Sequence, residues 1–362
     1  MLFRSDEDEG YGFGGWSFAY NRRLGEKGLI NRTWPNDCFG QGRPLMELVI
    51  LFRELAYCNA PAEALFYTET VATALINHGS DELKKELLPP TATGEATFWE
   101  GFSEPEAGSD LFSLRTTAVA DGDDYILNGQ KVWNSNAHIA RYGYTAARTD
   151  PDAPGHRGIS LFIIDMQSPG VTANPLDDMA GGQAFSEIFF DDVRVPQRNL
   201  IGEKNQGLPL IMHGLEWDRF WGRCVRAPFS RHMLEEVVQY CKETEGDRNP
   251  LIRHKLAEMA IEIEVCDVLF HRIAWMLNKG LSLTHEASIG KTFADELSQR
   301  FSNVIMQILG PYGQLAKDSK FSWLKGKIER DYLCSIGHTL AGGTSEIQRN
   351  TIATRGLGLP RG

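Results

Sequence analysis

Apolar residues return at helical spacing over the first part of the chain. Leu45–Tyr57 and Ala62–Ile76 place them three and four apart, so residues 16–90 read as helical. Trp34-Pro35 and Leu88-Pro89-Pro90 punctuate that stretch, because proline removes a backbone donor and crowds the preceding turn. The period then changes. From Thr97 to Gly202 short β-rich runs alternate with turn pairs. Asp121-Gly122 and Asn128-Gly129 bracket Asp123–Leu127, a hairpin signal. Gly158–Asp165 and Ala184–Asp191 are apolar runs suited to buried strands. Pro154, Pro169, Pro175 and Pro196 fall between or after strands, where a missing N–H does least harm. After Gly207 the helical period returns. Met233–Tyr240, Ile252–Leu277, Glu286–Leu309 and Phe321–Ile336 predict a bundle, with Pro228 kinking or splitting one stretch. The order predicts an α+β chain in three parts. These are an N-terminal helical domain (1–96), a central β-barrel-like domain (97–205) and a C-terminal four-helix-bundle domain (206–362).

Composition narrows the class. A chain of 362 residues is too long for one simple core, and 42% hydrophobic with 23% charged is ordinary for a soluble protein. The net charge of −11 argues against a nucleic-acid surface, while leaving room for a local basic groove that meets a phosphorylated ligand. No apolar run reaches the ~20 residues of a membrane span. The start, Met1–Glu9, is acidic and lacks the apolar segment of a signal peptide. Six cysteines, at 38, 58, 224, 241, 266 and 334, form no C-x-x-C pair and read as buried free thiols in a reducing cytosol. A cytoplasmic location is the expectation. The histidines show no metal-ligand spacing, so no metal site is expected.

The chemistry concentrates in two neighbouring stretches. Gly101-Phe-Ser-Glu-Pro-Glu-Ala-Gly-Ser-Asp110 offers a small hydroxyl and a Gly-Ser-Asp turn. Asn128-Gly-Gln-Lys-Val-Trp-Asn-Ser135 offers an indole beside a second hydroxyl. Such a set suits a flat polar ring. An indole covers a face, hydroxyls reach edge atoms, and a turn presents backbone N–H groups to an anion. Taken singly, each feature is ordinary. A strand Trp is core material, a strand Ser is a satisfied hydroxyl, and Gly-Ser-Asp is a plain turn.

Together, and in order, they resemble the acyl-CoA dehydrogenase family of flavoproteins. Further matches are Phe189–Pro196 with Asn199–Asn205, Gln307-Ile-Leu-Gly310 and Gly343-Thr-Ser-Glu-Ile-Gln-Arg349, so the resemblance runs from about Glu26 to Arg361. It implies the same three-part fold, FAD as cofactor, an acyl-CoA substrate and electron transfer to an electron-transfer flavoprotein. It also implies a homotetramer or an α2β2 heterotetramer. By resemblance Phe102 and Ser103 line the isoalloxazine, Trp133 lies against the ring, and Ser135 offers its hydroxyl near N5. Gln307 and Gly310 hold the adenosine half across a subunit boundary. Thr344 and Glu346 contact the pyrophosphate and ribose region. Ser109 belongs to a turn near the CoA moiety, and Glu216 lies where an acid meets the pantetheine amide. The family's Arg-x-x-Phe-Gly segment has no counterpart in Lys242–Pro250, which leaves open how FAD is held and by which subunit.

The family's reaction needs a carboxylate to take the α-proton, donors for the thioester oxygen, and a hydride acceptor at the β-carbon. The commonest members carry a Glu immediately before Gly-Thr-Ser. Here that position is Gly342, which keeps only a backbone N–H for an oxyanion contact. The isovaleryl-CoA and long-chain branches place the base on a bundle helix, one residue before an Arg. Asp218, before Arg219, stands at that position. The competing reading of Asp218 is that it makes an ion pair or is solvated, as charged helical residues usually do. Asp is one methylene shorter than Glu, about 1.5 Å of reach. Glu216 is aimed roughly 200° away around the helix. Two further readings of the chain compete with a dehydrogenase: a non-catalytic, cofactor-completing subunit of a hetero-oligomer, and a flavin oxidase or decarboxylating variant on the same fold.

Overall fold

The computed structural model describes residues 15–360. The acidic start and Arg361 lie outside those residues. Four helices open the fold: α1 (Phe18–Glu26), α2 (Leu45–Tyr57), α3 (Glu63–His78) and α4 (Asp81–Ala92). Ser17 and Ser80 start α1 and α4 by accepting from the Tyr20 and Leu83 N–H groups, the usual remedy for orphan donors at a helix start. Leu88-Pro89-Pro90 does not end α4, contrary to the sequence reading. Both prolines sit inside its last turns.

Eight strands follow: β1 (Phe98–Gly101), β2 (Thr117–Asp121), β3 (Asp124–Ser135), β4 (Tyr142–Arg148), β5 (Ile159–Asp165), β6 (Val171–Leu176), β7 (Phe185–Pro196) and β8 (Leu200–Ile201). They form a sheet in the order β6-β7-β3-β2-β4-β5-β8, with β1 parallel to β4. The β2–β3 hairpin forms as the Asp121-Gly122 signal predicts. Asn128-Gly129 is not a turn. The strand runs through it to Ser135, and the register against β7 slips between Leu127 and Gly129. Gly129, at φ +147°, is a bulge that lies against Thr116, where an added β-carbon would meet the Thr116 hydroxyl at 2.6 Å. Gly101 and Gly143 flank the Trp99 indole, and a β-carbon on either would stand 2.6 Å from the ring.

The C-terminal part holds α5 (Gly207–Cys224), α6 (Arg226–Glu243), α7 (Pro250–Asn278), α8 (Glu286–Leu309), α9 (Lys327–His338) and α10 (Ser345–Thr351). Pro228 splits rather than kinks. Val225 ends α5 and caps α6, so the proline falls in a first turn that tolerates it. The predicted helix over Phe321–Ile336 is shortened at its start. Leu324 and Lys325 have positive φ, which no continuing helix allows, and α9 begins only at Lys327.

Two cores organise the whole. One joins the helices to one sheet face, including Phe98, Phe102, Tyr144, Leu161 and Ile163. The other fills the opposite sheet face around Trp99, Tyr125, Phe162, Ile188 and Phe190. The alternation along β1 explains the division: Phe98, Glu100 and Phe102 face the helices, and Trp99 faces away. Four of the six cysteines are buried free thiols, Cys38 is half-buried and Cys58 is exposed. Among the described residues no helix is long and apolar enough to cross a membrane.

Candidate active site

The two signature stretches become neighbours through β1 and β3. The Val132 N–H donates to the Ser103 carbonyl at 3.0 Å, and Asn134 Nδ2 donates to the Glu100 carbonyl at 3.0 Å. Beneath them lies a buried ion pair, Lys131 Nζ to Glu104 Oε1 at 2.8 Å. Lys131 also donates to the Phe102 carbonyl at 3.2 Å, while Glu104 accepts from the Arg115 and Thr116 N–H groups at 2.6 and 2.9 Å. Burial alone would push the Glu104 carboxyl up. Lys131 and those donors hold it below its ordinary value instead. Burial lowers the Lys131 ammonium to about 8, against the pull of Glu104.

Above this pair, Trp133 projects from β3 with φ +63° and is 64% exposed, touching the Phe185 ring edge-on at 6.2 Å between centroids. An indole held out from a rigid strand is free to cover a ring face. Ser103 and Ser135 are half-buried on the same two segments. Ser135 lies beside the Tyr67 hydroxyl of α3. Phe102 turns its ring into the core, edge-on to Tyr144 at 5.7 Å, so it offers backbone to the site and not its ring. Ser109 stands exposed on the loop after β1.

The second centre is built on α5. Asp218 Oδ2 faces Arg223 Nη1 at 3.6 Å, and the Asp218 side chain is only 13% exposed. Arg223 is a hub. Its Nε reaches Asp295 Oδ1 of α8 at 3.3 Å, and its Nη2 donates to the Ala341 carbonyl at 3.2 Å. Lys291 completes the set at 3.0 Å from Asp295. The Ala341 contact brings the loop before α10 onto Asp218. A β-carbon on Gly342 (φ +66°) would lie 2.9 Å from Asp218 Oδ2. Gln348 Nε2 fixes that loop by donating to the Gly342 and Gly343 carbonyls at 3.1 and 3.2 Å. Burial raises the Asp218 carboxyl, and Arg223, Arg219 and Lys291 oppose the rise. Asp218 is therefore no solvated surface acid.

Arg219 is buried, and its Nε has no hydrogen-bond partner among the described residues. Glu216 is half-buried. Its carboxyl is raised by burial and opposed by Arg219 and Arg355. Thr344 caps α10 by accepting from the Ile347 N–H. Glu346 borders a shallow depression with Glu296, Arg300 and Arg349. Gln307 and Gly310 end α8, about 18 Å along its axis from Asp295, and Gln307 accepts from Lys255. The structure thus gathers Ser135, Tyr67, Asp218 and Gly342 into one region, and leaves Gln307 and Gly310 apart from it.

Sequence reading missed three members. Tyr67 reads as an ordinary helical aromatic. Arg223 ties Asp218 to Asp295, 72 residues away, and to the Ala341 carbonyl, long-range partners that no local spacing betrays. Glu100 shares the β1 face with Phe98 and Phe102. A charge between two phenylalanines at period two was its available signal.

Models of three acyl-CoA dehydrogenase domains match the chain in order. The N-terminal domain matches residues 7–95, the middle domain 100–193 and the C-terminal domain 205–357. Acyl-CoA dehydrogenase FadE26 of Mycobacterium tuberculosis is 36% identical over 97% of this chain and 90% of its own length. The solved structure called Tcur3481-Tcur3483 steroid ACAD superposes with a TM-score of 0.90 at 31% identity, over 95% of this chain and 89% of that one. The ChsE4-ChsE5 complex from Mycobacterium tuberculosis matches with a TM-score of 0.83 at 32% identity, over 95% and 90% of the two chains.

Proposed function

The chain belongs to the acyl-CoA dehydrogenase family, and from that premise we propose that it is an FAD-dependent enzyme that introduces an α,β double bond into an acyl-CoA thioester. The observation that carries this reading is the buried Asp218 carboxylate packed against the Gly342 turn, beside the indole-and-hydroxyl segment of β3.

In this reading Asp218 takes the α-proton. Its shorter side chain is offset by position, since Gly342 leaves it the space that a side chain at that position would fill. Arg223 opposes the effect of burial on the carboxyl and aims it, and the Gly342 N–H serves the thioester oxygen as negative charge develops there. Bound FAD would accept the hydride from the β-carbon. Trp133 would cover the ring, and Ser103 and Ser135 would meet its edge. Backbone from Phe102 completes that lining. Glu216 and Arg219 meet the pantetheine arm, and Ser109 the CoA head. Thr344 and Glu346 serve the cofactor's pyrophosphate and ribose. Gln307 and Gly310 act toward a neighbouring subunit's cofactor, which suits their distance from Asp218. Electrons pass to an electron-transfer flavoprotein. The division at residues 96/97 and 205/206 follows the change from helices to sheet and back.

An assembly of several chains is supported by α7. Ile261, Val265, Val268 and Trp275 are all exposed and fall on one face of it, an apolar stripe that solvent does not favour. A homotetramer and an α2β2 heterotetramer both cover it. A second reading, a cofactor-completing subunit in a hetero-oligomer, is favoured by the likeness to a two-component complex. Anaerobic flavin bleaching by a panel of acyl-CoA thioesters tests both. Bleaching by the pure chain that is abolished in Asp218→Asn supports the first. Bleaching that persists in Asp218→Asn excludes Asp218 as base, and bleaching only after a second chain is added supports the second.

A further inference from the structure

Glu100 is a carboxyl where the fold offers almost nothing to hold a charge. It projects from β1 between Phe98 and Phe102, on the face that packs into the helical core. Its register partner on β4 is Tyr144, so the two side chains point the same way. The Glu100 Oε1 and Tyr144 Oη atoms are both buried and make no hydrogen bond. Thr70 of α3 puts its hydroxyl beside the carboxyl and works against the rise that burial causes. Among the described residues no ammonium or guanidinium pairs with Glu100. The charged group that faces it is Asp218 of α5. Asp218 differs in this respect. Arg223 stands at 3.6 Å, Arg219 is its neighbour in sequence, and Lys291 and Asp295 face it from α8, with Tyr67 from α3.

Glu100 and Asp218 are both largely removed from solvent, so like charges on the two oppose each other, and the proton goes to the one that lacks cations. We propose that Glu100 stands as a neutral carboxylic acid beside the Asp218 carboxylate and is the positioning residue that decides which of the two takes the substrate proton. This deepens the dehydrogenase reading and rests on it. In the resting site one carboxyl is charged and the other carries a proton. When Asp218 accepts the α-proton, both are neutral, and no carboxylate opposes the negative charge that builds on the thioester. An ionised Glu100 would keep a charge there through the reaction. Burial and then Asp218 push the Glu100 carboxyl well above the ordinary range, which agrees with this assignment.

The test is infrared difference spectroscopy of the full FAD-loaded protein at neutral pH, wild type minus Glu100→Gln. One protonated-carboxyl C=O stretch should be present in the wild type and missing in the variant. In Asp218→Asn the same band should titrate at lower pH, because the repelling neighbour is gone. In turnover, the alkaline limb of the kcat–pH profile should vanish in Glu100→Gln, since Gln keeps the shape of the neutral acid and cannot ionise. No difference band at neutral pH overturns the proposal. So does a band whose titration Asp218→Asn leaves unmoved, or an alkaline limb that persists in Glu100→Gln. If no thioester reduces the flavin, the dehydrogenase reading fails and, with it, the positioning role. The infrared result still decides the protonation state.

Discussion

Asp218 Oδ2 stands 2.9 Å from the point that a Gly342 β-carbon would occupy. The two positions therefore compete for one space, and a side chain at 342 would meet the Asp218 carboxyl. Gly342→Ala should displace the Asp218 carboxyl and strain a backbone held at φ +66°, a conformation that costs an L-residue about 1–2 kcal/mol. We expect kcat to fall about 100-fold with a smaller change in KM. Gly342→Glu alone should be worse. The double variant Asp218→Gly with Gly342→Glu should recover part of the activity, read by thioester-driven flavin bleaching. Recovery no better than in Gly342→Glu would show that the two positions are not interchangeable.

Arg223 binds Asp218, Asp295 and the Ala341 carbonyl at once. Arg223→Met should leave two buried carboxylates short of a partner and cost about 3–5 kcal/mol in chemical denaturation. It should also move the acidic limb of the kcat–pH profile upward. Arg223 lowers the Asp218 carboxyl, so its loss means that the base ionises only at higher pH. An unmoved limb would separate Arg223 from the base.

Glu69 of α3 is buried with the Trp34 indole beside it, and burial pushes its carboxyl up to about 8. The raised value means that this group favours the fold below about pH 4.5, and that its contribution is lost as pH rises toward 8. Glu69→Gln cannot ionise, so its melting temperature should gain on the wild type from pH 5 to 8. At pH 7 the gain in unfolding free energy should be up to about 3 kcal/mol. Parallel melting curves across that range would contradict the assignment.

Trp133 is exposed on its strand, so it carries little of the fold. Trp133→Ala should leave the melting temperature of the apoprotein nearly unchanged. FAD affinity should weaken about tenfold, the value of losing one aromatic face contact of ~1.5 kcal/mol. Flavin retained through gel filtration and a fluorescence titration measure it. A collapse in apoprotein stability would instead make Trp133 a structural residue.

The outline of the fold was legible because α2 and α8 repeat their apolar residues without interruption, and both occur with the bounds that periodicity gives. Legibility failed where a local rule met tertiary packing. Pro89 and Pro90 stay helical in the last turns of α4, and Asn128-Gly129 becomes a bulge because β7 continues past it. Asp218, Gly342, Trp133 and Ser135 could be named as candidates from the sequence, the last two by the family's wording and the first two by where they depart from it. The site was illegible in Arg223 and Glu100, because their meaning lies in partners on other elements. A charged residue in a short strand announces neither its burial nor its want of a cation.

The Glu104–Lys131 pair has a thermodynamic consequence for the cofactor. It cross-links the two signature segments, so a flavin would meet segments already held in place relative to each other. A cradle ordered in advance spends little conformational entropy when its ligand arrives. Flavin uptake by the apoprotein should therefore resemble docking onto a finished surface, with a heat-capacity change no larger than the contact area requires and no added contribution from coupled folding.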